Sequence, residues 1–165
     1  MIPTSKTAFV TGATGFVGQA LVRALLQDNW QVHALVRKIP DEMFPENANL
    51  IWHTGDIRDA EAVATAMRDC DCVFHTAALT TAWDENRDAM YSTNVKGTEN
   101  VFKAALAHGI RRVVFTSSCS VAGVAANLEL TEDDPRMEHF ELHYEVTKKL
   151  AEDLADAYRK KGLDI

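Results

Sequence analysis

Apolar and polar residues follow two alternating periods along this chain. Residues 7–11 (TAFVT) form a short β-rich run that stops at glycines. From Phe16 the apolar positions are Phe16, Val17, Ala20, Leu21, Ala24 and Leu25. That is the i, i+3/i+4 stripe of a helix packed on a sheet, and it ends at Asp28-Asn29. Strand-like runs return at 31–36, 49–53, 72–77 and 112–117. Helical patterns fall at 59–67, at 88–108 with the stop signal Gly109, and at 143–161 before Gly162. Strands thus alternate with helices, and several strands are continuously apolar, as in a sheet covered on both faces. The pattern predicts an α/β, doubly wound, mostly parallel sheet with right-handed crossovers. Ligands are then expected beyond the C-terminal strand ends. Gly12, Arg37, Asp56, Ala77 and Ser118 each follow one of the five strands.

Composition narrows the partners. A chain of 165 residues suits one domain, and 47% hydrophobic residues suffice for a core. A net charge of −7 with no basic block excludes nucleic acid and anionic membrane surfaces as expected partners. No run has the apolar length of a membrane span, and MIPTSKTAFV lacks the pattern of a signal peptide. Three cysteines, Cys70, Cys72 and Cys119, argue for a reducing compartment, and the cytoplasm is expected. Cys70 and Cys72 lack further ligands nearby, so no metal site is expected.

The loop TGATGFVG carries the first chemistry. A glycine-bearing turn between strand and helix presents backbone N–H groups at the positive end of a helix dipole. Gly12 permits the sharp turn, Gly15 lets a pyrophosphate approach, and Gly18 lets the helix lie close on the sheet. The alternative is a tight βα turn without a ligand.

The spacing T-G-x-x-G-x-x-G resembles the short-chain dehydrogenase/reductase superfamily in its extended, epimerase/dehydratase-like branch. HTAA (75–78), STNVKGTENV (92–101), RRVVFTSS (111–118) and Tyr144-x-x-x-Lys148 follow in that family's order. The resemblance implies a Rossmann-type domain over residues 1–165 that binds NAD or NADP. It implies cofactor contacts from Gly12, Thr14, Gly15, Phe16, Val17, Asp56, Ile57, Thr76, Ala77, Ala78, Thr116, Tyr144 and Lys148. It also implies a homodimer, paired through helices 88–108 and 143–161. Such enzymes continue well past GLDI, so the last strands and the substrate domain are expected to be missing. The fifth strand would then be an exposed edge.

NAD enzymes of this fold carry an acidic residue at the end of the second strand, about 20 residues past the glycines. Here Val36 stands there, followed by Arg37 and Lys38. A guanidinium suits a 2′-phosphate, so NADP is preferred over NAD. The alternative is two solvated loop charges.

Tyr144 and Lys148 lie four apart and share a helix face. An unperturbed tyrosine titrates near about pH 10 and is a poor base at neutrality; a nearby ammonium favours the phenolate. The resemblance assigns Tyr144 the proton, Lys148 the nicotinamide ribose and Ser118 the substrate oxygen, with Ser117 as competitor for the serine role. The expected reaction is hydride transfer to or from a carbonyl or alcohol carbon of a small-molecule substrate.

The branch is narrowed by what stands around the site. Dehydratases of the family place Asp-Glu after the catalytic Ser/Thr; Cys119-Ser120 follow here. Many epimerases carry Tyr before the loop glycine; Ala122 stands before Gly123. VRK and FTSSCSVAG look more like dihydroflavonol-reductase-like enzymes, with Trp83 as a candidate pocket residue or a packed loop aromatic. A nucleotide-sugar epimerase with tightly held NAD and a non-catalytic dinucleotide-binding module are the alternatives. Asn94 is either the family's helix asparagine or a backbone-bonding side chain. His75 is expected to be packed, His139 and His143 solvated, and residues 131–134 an exposed acidic loop.

Overall fold

The computed structural model of the chain describes residues 6–80, 86–122, 131, 140 and 142–165. Its elements are β1 (Thr7–Thr11), α1 (Phe16–Gln27), β2 (Gln31–Val36), β3 (Leu50–Thr54), α2 (Ala60–Ala66), β4 (Cys72–His75), α3 (Arg87–Tyr91), a π-helical segment (Ser92–Gly97), α4 (Thr98–Ala107), β5 (Arg112–Phe115), a 3-10 turn (Cys119–Ala122) and α5 (His143–Arg159). The strands form one parallel sheet in the order β3-β2-β1-β4-β5. The winding reverses between β1 and β4, which makes their C-terminal ends the switch point of a Rossmann-type fold.

Strand β1 is buried throughout, and its alternating side chains feed two cores. Ala8 and Val10 pack with Val22, Leu25 and Val32 on the α1 face. Phe9 packs on the other face with Val63, Val73, Phe102 and Tyr158. The apolar stripe of α1 therefore has the role its period predicts. Asp59 caps α2 by accepting from the backbone N–H groups of Glu61 and Ala62 at 2.9 and 3.2 Å.

Two expectations need correction. The strands at 72–77 and 112–117 are shorter, ending at His75 and Phe115, with Thr76 and Thr116 each adding one last backbone bond, to the Thr11 and His75 carbonyls at 3.3 and 3.0 Å. The helix at 88–108 is interrupted by the π segment, where Gly97 lies against Ile57 and a Cβ would meet its Cδ1 at 2.8 Å. The strand β5 is the exposed edge, with Val114 45% exposed, and its Val113 N–H donates to the Asp164 carbonyl at 2.8 Å. Cys72 opens β4, and burial pushes the Cys70 thiol up to about 12. No metal-binding group of His, Cys, Asp or Glu occurs among the described residues, and no described helix is long and apolar enough to cross a membrane.

His75, packed as expected, closes β4 with both ring nitrogens bonded. Thr98 Oγ1 donates to the Asn94 carbonyl at 2.7 Å, so it accepts from His75 Nε2 at 2.9 Å. Nδ1 then accepts from Thr11 Oγ1 at 2.6 Å. Burial above all, and the Lys148 charge, hold this imidazole's pKa down to about 3 from 6.5. The unfolded chain therefore binds a proton below pH 6.5 that the folded chain refuses. We predict that stability falls as pH drops from about 7 to about 4, with this site adding up to about 1.4 kcal/mol per pH unit. Urea unfolding of His75→Gln across that range is expected to give a shallower slope; an equal slope would contradict the assignment.

Candidate functional site

Backbone geometry shapes the glycine loop. Gly12 has φ +73°, and a Cβ there would lie 2.6 Å from Thr76 Oγ1 and 2.7 Å from the Ala77 nitrogen. A Cβ on Gly18 would lie 2.0 Å from the Gly12 carbonyl oxygen, so α1 can sit this close to the loop only with glycine there. Gly15 is exposed, and its own N–H closes the turn onto the Gly12 carbonyl at 2.9 Å. No side chain caps α1 and its first turn holds no acid. Its first-turn donors are thus left for an anion. Phe16 and Val17 open this helix, with Phe16 97% exposed at its mouth.

A cleft of about 340 Å³ runs from this loop across the strand ends. It gathers Gly12, Thr14, Gly15, Arg37, Asp56, Ile57, Thr76, Ala77 and Ala78 of the expected contacts. Lys38 does not line it; its Nζ lies 3.9 Å from Asp41 on the exposed loop. The Thr76 hydroxyl donates to the Thr11 carbonyl at 2.8 Å, so this side chain braces the strand end. Trp83 and His139 lie outside the described residues, as do residues 132–134 of the acidic segment.

Sequence reasoning passed over Arg58. Its Nε and Nη2 grip Asp56 at 3.0 and 2.7 Å, and its backbone N–H adds a third bond at 2.9 Å. These bonds hold the Asp56 carboxyl below the usual range, with a smaller pull from Arg37. Two guanidinium groups and one carboxylate thus meet at the end of the cleft beside Val36. The signal was present in GDIR, a basic residue two positions after the acid.

Phe16, Val17, Thr116, Ser118, Tyr144 and Lys148 do not line this cleft; the last four stand where the end of β5, the 3-10 turn and α5 meet. Lys148 is buried, its Nζ donates to the Thr116 carbonyl at 2.7 Å, and it stands 4.6 Å from the Phe115 ring centroid. Burial lowers its pKa to about 8. Tyr144 lies one turn earlier on α5, half-buried. Ser118 Oγ accepts from the Ser120 N–H at 3.3 Å and lies 2.8 Å from Ser120 Oγ. Ser117, its competitor, is tied instead to Glu152 at 2.6 Å.

Asn94 is a brace. Its amide exchanges two bonds with the Leu79 backbone, at 2.8 and 2.9 Å, and donates to Thr147 Oγ1 at 3.1 Å. Leu79 lines the cleft and Thr147 lies on α5, so Asn94 joins the two ends of the site. His143 is not a solvated residue: its Nε2 is buried with no hydrogen-bond partner among the described residues.

A doubly wound domain with a glycine turn at its switch point is the class that this fold defines. The chain belongs to the NAD-dependent epimerase/dehydratase family, whose model matches residues 8–165. It is 38% identical over 161 residues to a Synechocystis sp. protein provisionally named dihydroflavonol 4-reductase, spanning 95% of this chain and 46% of that one. It is 41% identical over 146 residues to 2-alkyl-3-oxoalkanoate reductase of Stenotrophomonas maltophilia, spanning 87% and 43%. A short-chain dehydrogenase/reductase superfamily protein from Agrobacterium tumefaciens, solved with bound NAD, superimposes with a TM-score of 0.82 at 31% identity. That match covers 96% of this chain and 46% of that one. The chain thus spans about half the length of the relatives it matches.

The glycine geometry separates folding from ligand approach. Gly18→Ala is expected to cost about 3 kcal/mol or more, because the clash is with backbone. Gly15→Ala meets only the Gly12 carbonyl, at 3.2 Å, and is expected to lower stability by less than about 1 kcal/mol. Thermal and urea unfolding of both variants check the order.

Proposed function

We propose that this chain is the dinucleotide-binding half of an NADP-dependent oxidoreductase that reduces a carbonyl, or oxidises the corresponding alcohol, with Ser118, Tyr144 and Lys148. The observation that carries the reading is the docking of buried Lys148 on the end of β5, one turn from Tyr144 and two residues from Ser118. The names of the Synechocystis and Stenotrophomonas relatives, both reductases, support the same class of reaction.

The open first turn of α1 suits a pyrophosphate, and the cleft beyond it suits an adenosine. Arg37 would hold the 2′-phosphate, where an NAD enzyme of this fold presents a carboxylate to the ribose. A bound nicotinamide supplies hydride in reduction and takes it in oxidation. Ser118 donates a hydrogen bond to the substrate oxygen, and its lone pair is already satisfied by the Ser120 N–H. Tyr144 gives that oxygen its proton, and the Lys148 ammonium stabilises the phenolate left behind. Residues 1–165 then act as the cofactor domain, and the substrate is chosen by residues beyond them. A cytoplasmic homodimer completes the reading.

NADPH is expected to bind at least about tenfold more tightly than NADH, and Arg37→Ala is expected to erase the difference. Equal affinities that Arg37→Ala leaves untouched would sink the NADP assignment. In the full-length protein, Tyr144→Phe is expected to lower turnover of a carbonyl panel by about a thousandfold or more. Undiminished turnover in that variant would defeat the mechanism.

A further inference from the structure

Two consecutive residues leaving β5 grip two consecutive turns of α5. The Thr116 carbonyl accepts from Lys148 Nζ at 2.7 Å, and the Ser117 hydroxyl donates to Glu152 Oε1 at 2.6 Å. Lys148 and Glu152 are i, i+4 neighbours and share a helix face. Lys148 is only 3% exposed, so its ammonium has little water to stabilise it. A carboxylate pinned one turn away is then the natural counter-charge.

We propose that Glu152, anchored by Ser117, is a positioning residue that keeps Lys148 charged and directed at the strand end. The inference rests on the role given to Lys148 above. Burial lowers the Lys148 pKa and the Glu152 charge raises it. Among the described residues, the other elements around Lys148 supply no competing counter-charge. From β4 comes His75, neutral and stacked at 5.6 Å on Phe115. From β5 come the Phe115 ring and the Thr116 carbonyl, and from the π segment the neutral Asn94 amide. Tyr144 precedes it on α5 and exposed Cys119 lies on the 3-10 turn. The helices α3 and α4 also pack on α5, and Glu152 is the described group whose charge raises the Lys148 pKa.

The carboxylate's charge can be separated from its shape. Glu152→Gln keeps the acceptor for Ser117 and removes the charge. Full-length protein carrying ¹³C-labelled lysine would be titrated by NMR, with the Lys148 resonance assigned from its loss in Lys148→Arg. The Lys148 midpoint is expected to fall by at least about one pH unit in Glu152→Gln. Ser117→Ala, which loosens the anchor and keeps the charge, is expected to give a smaller fall. In turnover, the alkaline limb of Glu152→Gln should move to lower pH by the same amount. An unchanged midpoint in both variants overturns the proposal, and does so even if Tyr144→Phe is inactive. A lowered midpoint alongside a fully active Tyr144→Phe supports the Glu152–Lys148 coupling and defeats only the mechanism of the preceding section.

Discussion

The imidazole of His75 holds the two ends of the site in register. Through Thr11 it fixes the residue before Gly12, and through Thr98 it fixes α4. Its ring stacks on Phe115, over which Lys148 stands. One fully buried side chain thus links the glycine loop, the start of α4 next to the π segment that carries the brace Asn94, and the strand end that docks α5. A buried ring with both nitrogens satisfied has one tautomer and one orientation. That rigidity passes to the site because Thr11, Thr98 and Phe115 each belong to a different element.

The parallel sheet explains why these ends converge. All five strands run the same way, so every C-terminal end opens on one edge. At the switch point, crossovers leave in opposite directions and cannot cover that edge. The cleft is the result, and its walls are the residues that follow β1, β2, β3 and β4. Asn94 then closes the circuit from the β4 loop at Leu79 to α5 at Thr147.

Much of this was legible in the sequence because periodicity reports burial. TAFVT and QVHALV are buried on both faces or nearly so, and their strands begin and end where the apolar runs do. The glycine roles were equally legible: Gly12 takes a positive φ and a Cβ at Gly18 collides with the Gly12 carbonyl, constraints local to the loop. What was hidden depends on long-range partners. The π segment holds Gly97, which leaves room for Ile57, and Asn94, which reaches Leu79 and Thr147, contacts that no local pattern encodes. Ser117 and Ser118 differ in partner, Ser117 bonding Glu152 on another element and Ser118 bonding Ser120 nearby. Arg58 was missed because a basic residue after an acid reads as solvated charge until the bidentate geometry is seen.

Charge placement is the last constraint. The chain as a whole carries −7, which would repel a polyanionic ligand at long range. Among the described residues of the cleft the balance is inverted: Arg37 and Arg58 face one carboxylate, Asp56, and the first turn of α1 adds its uncapped N–H groups. Arg58 neutralises Asp56 through two guanidinium bonds, which leaves the Arg37 charge without a full counter-ion in the cleft wall. The Lys148 ammonium lies outside the cleft lining, on the β5 side. Positive groups therefore stand in the cleft wall of an otherwise acidic protein. Such a field concentrates an anion in the cleft and not on the surface at large. Close donors and cations act within a Debye length of about 8 Å at physiological salt, where the diffuse negative charge is screened. The acidic composition and the anion-ready cleft are thus compatible, because each acts at its own distance.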